Sequence, residues 1–429
     1  MATSRETLLK EDPMYDELFS VEKEAERRHG STLSEDIYPK LAELRAKNKV
    51  VKGSLFDLVG KGFTKSSFTV ERQHYATLDY ETTNRVVTDG ETFSTRSYDE
   101  YFSAVQIGRT ILNMGGNEHR RYRGVAQPLF TIIHARNWWT PKWIEEIVDV
   151  LISDFEREGS VDLNAQLCAR MPMHTITRGL GLDDDEGLVF RFNLIKALSS
   201  TSESQEQKAA AAIVHETLLR AINSRRAEPR DDVITALVTG SFKDHDGSVY
   251  RLSDDEIINY CRIMMAAGGG TTWRQLGITL YALLTQPENW AAMKADRKLV
   301  DAAIKEGARW NATDPIFYRL CETDTQLGGL DIPAGSMVEV CYGAANRDPA
   351  RWENPDEFII DRPYQRSLAF GGGVHSCLGM FVGQAEMHAA LNALADRCPK
   401  LRLDTSVPAP VITGGLDARG VSHMRVRFD

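Results

Sequence analysis

The sequence predicts a mainly α fold with a small β-rich lobe. Apolar residues recur at helical spacing over Trp143 to Phe155, in two patterns within Leu188 to Ala227, from Ser253 to about Thr285, and from Met380 to Ala395. Short β-type runs cluster after Lys49 and again from Leu401 to Phe428. Hydrophobic content of 42% beside 26% charged residues is ordinary for a globular chain and allows a sizeable core.

A chain of 429 residues admits one large domain or two to three ordinary ones. No apolar run is long enough to span a bilayer, and the start, MATSRETLLKEDPMYDELF, has no basic stretch leading into an apolar one. A soluble, cytoplasmic protein without a membrane anchor is expected. The net charge of −10 disfavours nucleic acid as a partner but leaves room for a local basic patch that docks an acidic protein. Cys168, Cys261, Cys321, Cys341, Cys377 and Cys398 are scattered without a C-x-x-C pair, which argues against a zinc site and against a disulfide framework.

In chain order, residues 1–48 read as polar helical segments. Val50, Val51, Leu55, Phe56, Leu58 and Val59, then Phe68-Thr-Val and Tyr75-Ala-Thr-Leu, predict a small sheet, and residues 81–94 a short helix closing on Asp89-Gly90. From Thr95 to Asn113 no period holds, and Tyr98, Tyr101, Phe102, Val105 and Ile107 either cover a core or meet a ligand. His119 and Arg123 stand four apart, so on a helix they share a face; they form either a solvated basic surface or a clamp for an anion. The polar tract Ser199 to Gln207 between two helices reads as a surface loop or a lid.

Ser253-Asp-Asp-Glu256 is a good N-cap with an acidic first turn. Inside the helix it opens stand Gly268, Gly269 and Gly270, followed by Thr271 and Thr272. Each interior glycine costs about 1 kcal/mol against alanine. Another helix therefore packs closely there, or a flat ligand does, with local widening of the helix exposing a carbonyl groove beside Thr271. Glu306 and Arg309, three apart on one helical face, would as a surface pair contribute little. Strand and turn patterns follow at Leu330 to Gly335 and at Asn346 to Pro349, and no internal repeat is found.

The stretch Phe370-Gly-Gly-Gly-Val-His-Ser-Cys377-Leu-Gly379 precedes the last helical pattern. Its glycines permit tight turns and would let a flat ligand approach the backbone. Unpaired N–H groups and the positive end of the following helix dipole favour thiolate at Cys377. A thiolate with no second cysteine or histidine at metal-finger spacing suits a metal whose other ligands come from a macrocycle, as in haem.

This run, with Phe370, Gly373, Cys377 and Gly379 in F-x-x-G-x-x-x-C-x-G, resembles the haem-binding loop of the cytochrome P-450 (haem-thiolate monooxygenase) family, of the soluble bacterial type. Other positions resemble the same family over roughly residues 50 to 428. His119 and Arg123 are similar to its haem-propionate clamp, with Arg319 and His375 as further contacts. Glu306 and Arg309 resemble its buried ion pair, completed by Arg362. Ala267 to Thr272 resemble its oxygen-binding groove, A/G-G-x-acid-T, but Gly270 stands where the acid is usual.

The resemblance implies a single domain over residues 1–429 with the cytochrome P-450 fold enclosing one haem b (iron protoporphyrin IX). Residues 1–48 form an N-terminal helical extension, and the β-rich lobe takes about 49–80 with parts of 319–345 and 400–428. Cys377 is the implied iron ligand. Haem contacts fall on Ala267, Gly268, Phe370, Gly373 and Gly379, and oxygen chemistry on Gly270, Thr271 and Thr272. Tyr98, Tyr101, Phe102, Ile263, Met264, Ala267, Ile316, Phe317, Val421 and Ser422 are the implied substrate lining. The implied reaction hydroxylates, or oxidatively dealkylates, a hydrophobic small molecule with O2. Its electrons are expected from a small acidic ferredoxin and an NAD(P)H-dependent reductase, with Arg120 and Arg121 towards that donor. A peroxide-driven enzyme and a non-catalytic haem protein are the alternatives.

Overall fold

The computed structural model describes residues 19–29, 34–59, 70–101, 107–182, 184–198, 204–416 and 418–429. Phe68, Phe102, Val105, residues 199–203 of the polar tract, and residues 1–18 and 30–33 of the N-terminal extension lie outside the described residues.

The expected small sheet has five strands: β1 (Val50–Lys52), β2 (His74–Thr77), β3 (Phe93–Ser94), β4 (Ile316–Cys321) and β5 (Met337–Cys341), in the order β1-β2-β5-β4-β3. Only β2 and β5 run parallel, with Val338 opposite Tyr75 and Val340 opposite Thr77. Side chains alternate across a strand, so Met337 and Cys341 join one apolar cluster with Ile316 and Tyr318, while Val338 and Val340 join another with Val50 and Tyr75. Both faces are thus covered. Glu339 shares this buried strand because Leu55 N donates to it at 2.7 Å and His74 Nδ1 lies at 2.7 Å.

Strands of the C-terminal stretch do not extend this sheet. Arg402–Leu403 pairs with Arg425–Arg427, which pairs in turn with Ser160–Asp162. Ile412–Thr413 pairs with Gly420–Val421, which lies against the long helix, where a Cβ on Gly420 would come within 3.2 Å of Arg274 Cγ.

Six helices position the site. They are α1 (Tyr80–Thr88), α2 (Gly116–Ala126), α3 (Arg170–Leu180), α4 (Asp254–Thr285), α5 (Leu299–Trp310) and α6 (Met380–Arg397). Asp79 caps α1 by accepting from Thr82 N. Ser253 caps α4 with a full capping box, its hydroxyl accepting from Glu256 N while Glu256 accepts from Ser253 N at 2.8 Å. At 32 residues α4 is on the order of 48 Å long and runs through the main apolar cluster. Helices at Asp184–Leu198 and Gln205–Ala227 match the two expected patterns, whereas Ala135–Ile144, just before the helix Glu145–Phe155, is wound as wider π turns around Pro141.

One polar brace locks α5 to the loop that leads towards Cys377. Arg309 grips Glu306 through two bonds of 2.7 and 2.8 Å, and Arg362 Nε and Ile359 N donate to Glu306 Oε1 at 2.9 and 3.0 Å. Arg309 also donates to the carbonyls of Asn346, Pro355 and Glu357. Glu306 and Arg309 are both buried, which rules out a surface pair.

Candidate active site

Residues from α2, α4, β4, α6 and the glycine-rich loop wall one cavity of about 300 Å³. The loop closes through Cys377 N, which donates to Phe370 O at 2.9 Å, and is pinned from α2 by Arg123, which donates to Val374 O at 3.1 Å and Ser376 O at 2.8 Å. Gly371 and Gly373 take φ of 68° and 63°. A Cβ on Gly373 would lie 2.5 Å from Val87 O, and one on Gly372 2.8 Å from Val87 Cγ2. Gly372 and Gly373 therefore serve closure of the turn onto α1, while Gly371 lines the cavity. The open glycine is Gly379, where a Cβ would meet nothing within 4 Å on the cavity wall.

Cys377 is the one free cysteine exposed, and it is exposed to this cavity; the other five are buried. Burial within the fold pushes its thiol up, opposed by N–H groups of Gly379 and Met380 and by the Arg123 guanidinium. The expected loop N–H groups are present, but desolvation outweighs them.

Above the loop a group of nitrogen bases gathers. His119 is buried with its ring centroid 4.1 Å from that of His375, and its Nε2 has no hydrogen-bond partner. Burial, then Arg123, holds His119 down to about 4; burial, then His119 and Arg319, holds His375 down to about 3. Both rings are neutral at pH 7. Arg123, Arg319 and His375 line the cavity, and His119, whose ring packs on that of His375, sits beside them. Among the described residues no carboxylate forms an ion pair with Arg123 or Arg319, although Arg319 is buried. Guanidinium groups without a counter-anion, next to an orphaned imidazole nitrogen, fit the propionates of haem. With Cys377 at the same cavity, the donor set fits haem b.

On α4, Ala267, Gly268, Thr271 and Thr272 face the cavity and Gly270 does not. Two of the glycines are explained by α3: a Cβ on Gly268 would lie 2.6 Å from Ile176 Cδ1, and one on Gly269 2.5 Å from Met173 Sδ. Helix packing is thus the reason for these two, and α4 continues as unbroken α-helix where widening was expected. The Thr271 hydroxyl donates to Ala267 O at 2.8 Å. A Cβ on Gly270 would come within 3.6 Å of Arg274 Nη1.

Of the expected substrate lining, Tyr98, Ile263, Met264, Ala267 and Phe317 are on the wall. Tyr101, Ile316, Val421 and Ser422 are elsewhere. Tyr101 packs on Tyr98 and Tyr318 at 5.9 Å, and Ile316 is buried in the sheet opposite Cys341. The carbonyls of Val421 and Ser422 accept from Asn164 Nδ2 at 2.9 and 2.6 Å. Arg120 and Arg121 are not free on the surface either: both grip the buried Asp244 at 2.6 Å, fastening the hairpin 242–250 to α2. Sequence reading missed Phe130, Trp139, Gln275, Thr313, Asp314 and Glu386 on the wall. Glu386 alone carried a signal, an acid within the helical stripe Val382, Glu386, Ala390.

The cytochrome P450 family model matches residues 183–399. Nocardicin C N-oxygenase of Nocardia uniformis subsp. tsuyamanensis is 34% identical over 298 residues, 68% of this chain and 73% of that protein. 6-Deoxyerythronolide B hydroxylase of Saccharopolyspora erythraea is 31% identical over 321 residues, 74% and 78% of the two chains. The solved structure of HmtT, involved in himastatin biosynthesis, superposes with a TM-score of 0.74 at 27% identity, covering 86% of this chain and 96% of that one. CYP109E1 from Bacillus megaterium in complex with corticosterone reaches a TM-score of 0.78 at 23% identity over 92% and 98% of the chains, a likeness of fold.

Proposed function

Because the chain belongs to the cytochrome P450 family, oxidoreductases that bind haem b through a cysteine thiolate, we propose that Cys377 is the iron ligand and that the enzyme places one oxygen atom of O2 on a hydrophobic small molecule. The observation that carries this reading is one cavity reached both by the Cys377 sulfur and by the Ala267 to Thr272 face of α4. When bound, haem with a thiolate ligand supplies the electron density that promotes O–O cleavage.

This chain's residues supply position, exclusion of water and protons. Arg123, Arg319, His119 and His375 hold the propionates. Glu306, Arg309 and Arg362 brace the approach to the loop and take no part in the chemistry. Tyr98, Ile263, Met264 and Phe317 form an apolar wall that selects a hydrophobic substrate. The relatives' reactions, an N-oxygenation and a hydroxylation, both support insertion of a single oxygen.

Electrons come from a small acidic ferredoxin and its reductase. Arg120 and Arg121, though paired with Asp244, keep 33% and 38% of their side chains exposed on α2, which also carries the loop-binding Arg123. No described helix is long and apolar enough to cross a membrane, which agrees with a cytoplasmic enzyme served by such a carrier.

The test is spectroscopic and catalytic. The parent's reduced carbon monoxide complex shows the red-shifted Soret band of thiolate ligation, and Cys377→Ser loses it. NADPH consumption with a ferredoxin system matches oxidised product. Survival of the band in Cys377→Ser refutes the ligand, and turnover with peroxide alone, the reading that the missing acid at Gly270 favours, refutes the ferredoxin route.

A further inference from the structure

Trp138, Trp139 and Trp143, three of the seven tryptophans of the chain, touch one another between the cavity and the surface. Trp139 is 1% exposed and lines the same cavity as Cys377. Trp138 is only half-buried, and its ring meets that of Trp139 edge-on, with centroids 5.5 Å apart. Trp143 closes the group, 5.2 Å from Trp139 and 4.6 Å from Trp138. Consecutive side chains of an α-helix do not face each other. The wider π turns of Ala135–Ile144 bring these two together.

Core filling accounts for Trp139 and Trp143, but not for the setting of Trp138. Its indole N–H donates to Asp231 Oδ1 at 2.9 Å, and Asp231 keeps 74% of its side chain exposed. Lys142, ion-paired with Asp231, holds that carboxyl below the ordinary carboxylate range, so it is an anion at pH 7. A carboxylate that accepts from an indole N–H stabilises the positive charge left when the ring loses an electron. The Lys142 ammonium stands 5.1 Å from the Trp138 ring and 4.8 Å from the Trp143 ring and acts the other way; at Trp138 the Asp231 carboxylate offsets it. Trp139 gives its N–H to the neutral carbonyl of Leu129 at 2.9 Å, and its burial disfavours a charge. A positive charge formed on Trp139 therefore moves outward to Trp138.

The cavity wall carries oxidisable sulfur besides Cys377, in Met264, Met380 and Met387. Oxidising power generated there without a substrate to consume it converts such groups to sulfoxides. We propose that Trp139 and Trp138 form an electron relay that drains unused oxidising power from the cavity to the surface, where a soluble thiol refills it. The inference rests on the monooxygenase reading above. An oxygen atom that finds no substrate leaves as water by taking two electrons and two protons. Each electron passes into the cavity from Trp139, Trp138 replaces it, and the thiol replaces that of Trp138. Two thiols thereby become one disulfide, and the two protons they release balance the two taken up.

The experiment uses the full-length, haem-loaded parent with Trp139→Phe, Trp138→Phe and Trp138→Tyr, each mixed with hydrogen peroxide in the absence of substrate and freeze-quenched. Electron paramagnetic resonance should show an indole radical in the parent, lost in both phenylalanine variants and replaced by a tyrosyl radical in Trp138→Tyr. Added glutathione should quench the parent's radical and appear as its disulfide. Peptide mass spectrometry should find more sulfoxide at Met264, Met380 and Met387 in the phenylalanine variants than in the parent, with Trp138→Tyr between them. A parent without an indole radical, or a Trp138→Phe protein with the parent's radical and the parent's methionine oxidation, overturns the proposal. Should Trp139→Phe not fold, Trp138→Phe decides, because residue 138 is half-buried and lies off the cavity wall. A parent whose reduced carbon monoxide complex lacks the thiolate Soret band overturns the enzyme reading, and the proposal with it; a parent with that band and no indole radical overturns the relay alone.

Discussion

At the scale of single residues, an unpaired atom says more than a paired one. His119 Nε2 is buried without a partner, and an orphaned donor or acceptor costs roughly 1–3 kcal/mol. A propionate oxygen removes that cost, and a hydrogen bond to a charged group contributes about 1.5–3 kcal/mol. His119→Leu should therefore release haem to an acceptor apoprotein about ten- to a hundredfold faster than the parent, with little change in the stability of the apoprotein. An unchanged release rate would place the propionates elsewhere. Thr271 is the opposite case, because its proton is already given to Ala267 O and only its lone pairs face the cavity. It can hold a water by accepting, so Thr271→Ala should lower the share of NADPH electrons reaching product and raise peroxide release. Equal coupling in parent and variant would assign water positioning to Thr272 alone.

At the scale of elements, what could be read from the sequence was what is decided locally. The Ser253 to Glu256 cap opens α4 as its residues require, the short helix expected within 81–94 is found as α1 and stops at Thr88 beside Asp89, and the Cys377 loop leads into α6. Partners distant in sequence were not legible. Nothing within Phe370 to Gly379 reveals that Gly373 is glycine because Val87 O would lie 2.5 Å from its Cβ. Alternation in Leu401 to Phe428 reveals strands but not that Arg425–Arg427 pairs with Ser160–Asp162. Arg120 and Arg121 look like a docking patch until Asp244 arrives from more than a hundred residues away. The brace of Glu306, Arg309 and Arg362 is where local and distant information agree, since one helix face supplies the pair and the fold its burial. Breaking a buried pair by removing one partner costs about 3–5 kcal/mol. Glu306→Ala should yield little folded, haem-loaded protein, as soluble yield and absorbance would show; normal yield and haem content would mean that the brace is dispensable.

At the scale of the whole molecule, burial of Glu386 beside the cavity is measurable as pH-dependent stability. Its carboxyl stands near 8 in the fold against 4.5 ordinarily. Between those values the folded chain holds a proton that the unfolded chain releases, so unfolding becomes easier as pH rises. The contribution is fully present below about 4.5, declines at up to about 1.4 kcal/mol per pH unit, and is gone above about 8. His119 acts in the other sense, for its imidazole is held down to about 4, and the stability it contributes is lost as pH falls below its ordinary 6.5. The parent alone would mix the two. Glu386→Gln keeps His119 and has no proton to lose, so subtracting its unfolding free energy from the parent's isolates Glu386. That difference should fall steadily with pH between about 4.5 and 8 and be flat on either side. A difference flat throughout would mean that Glu386 ionises in the fold as it does in water.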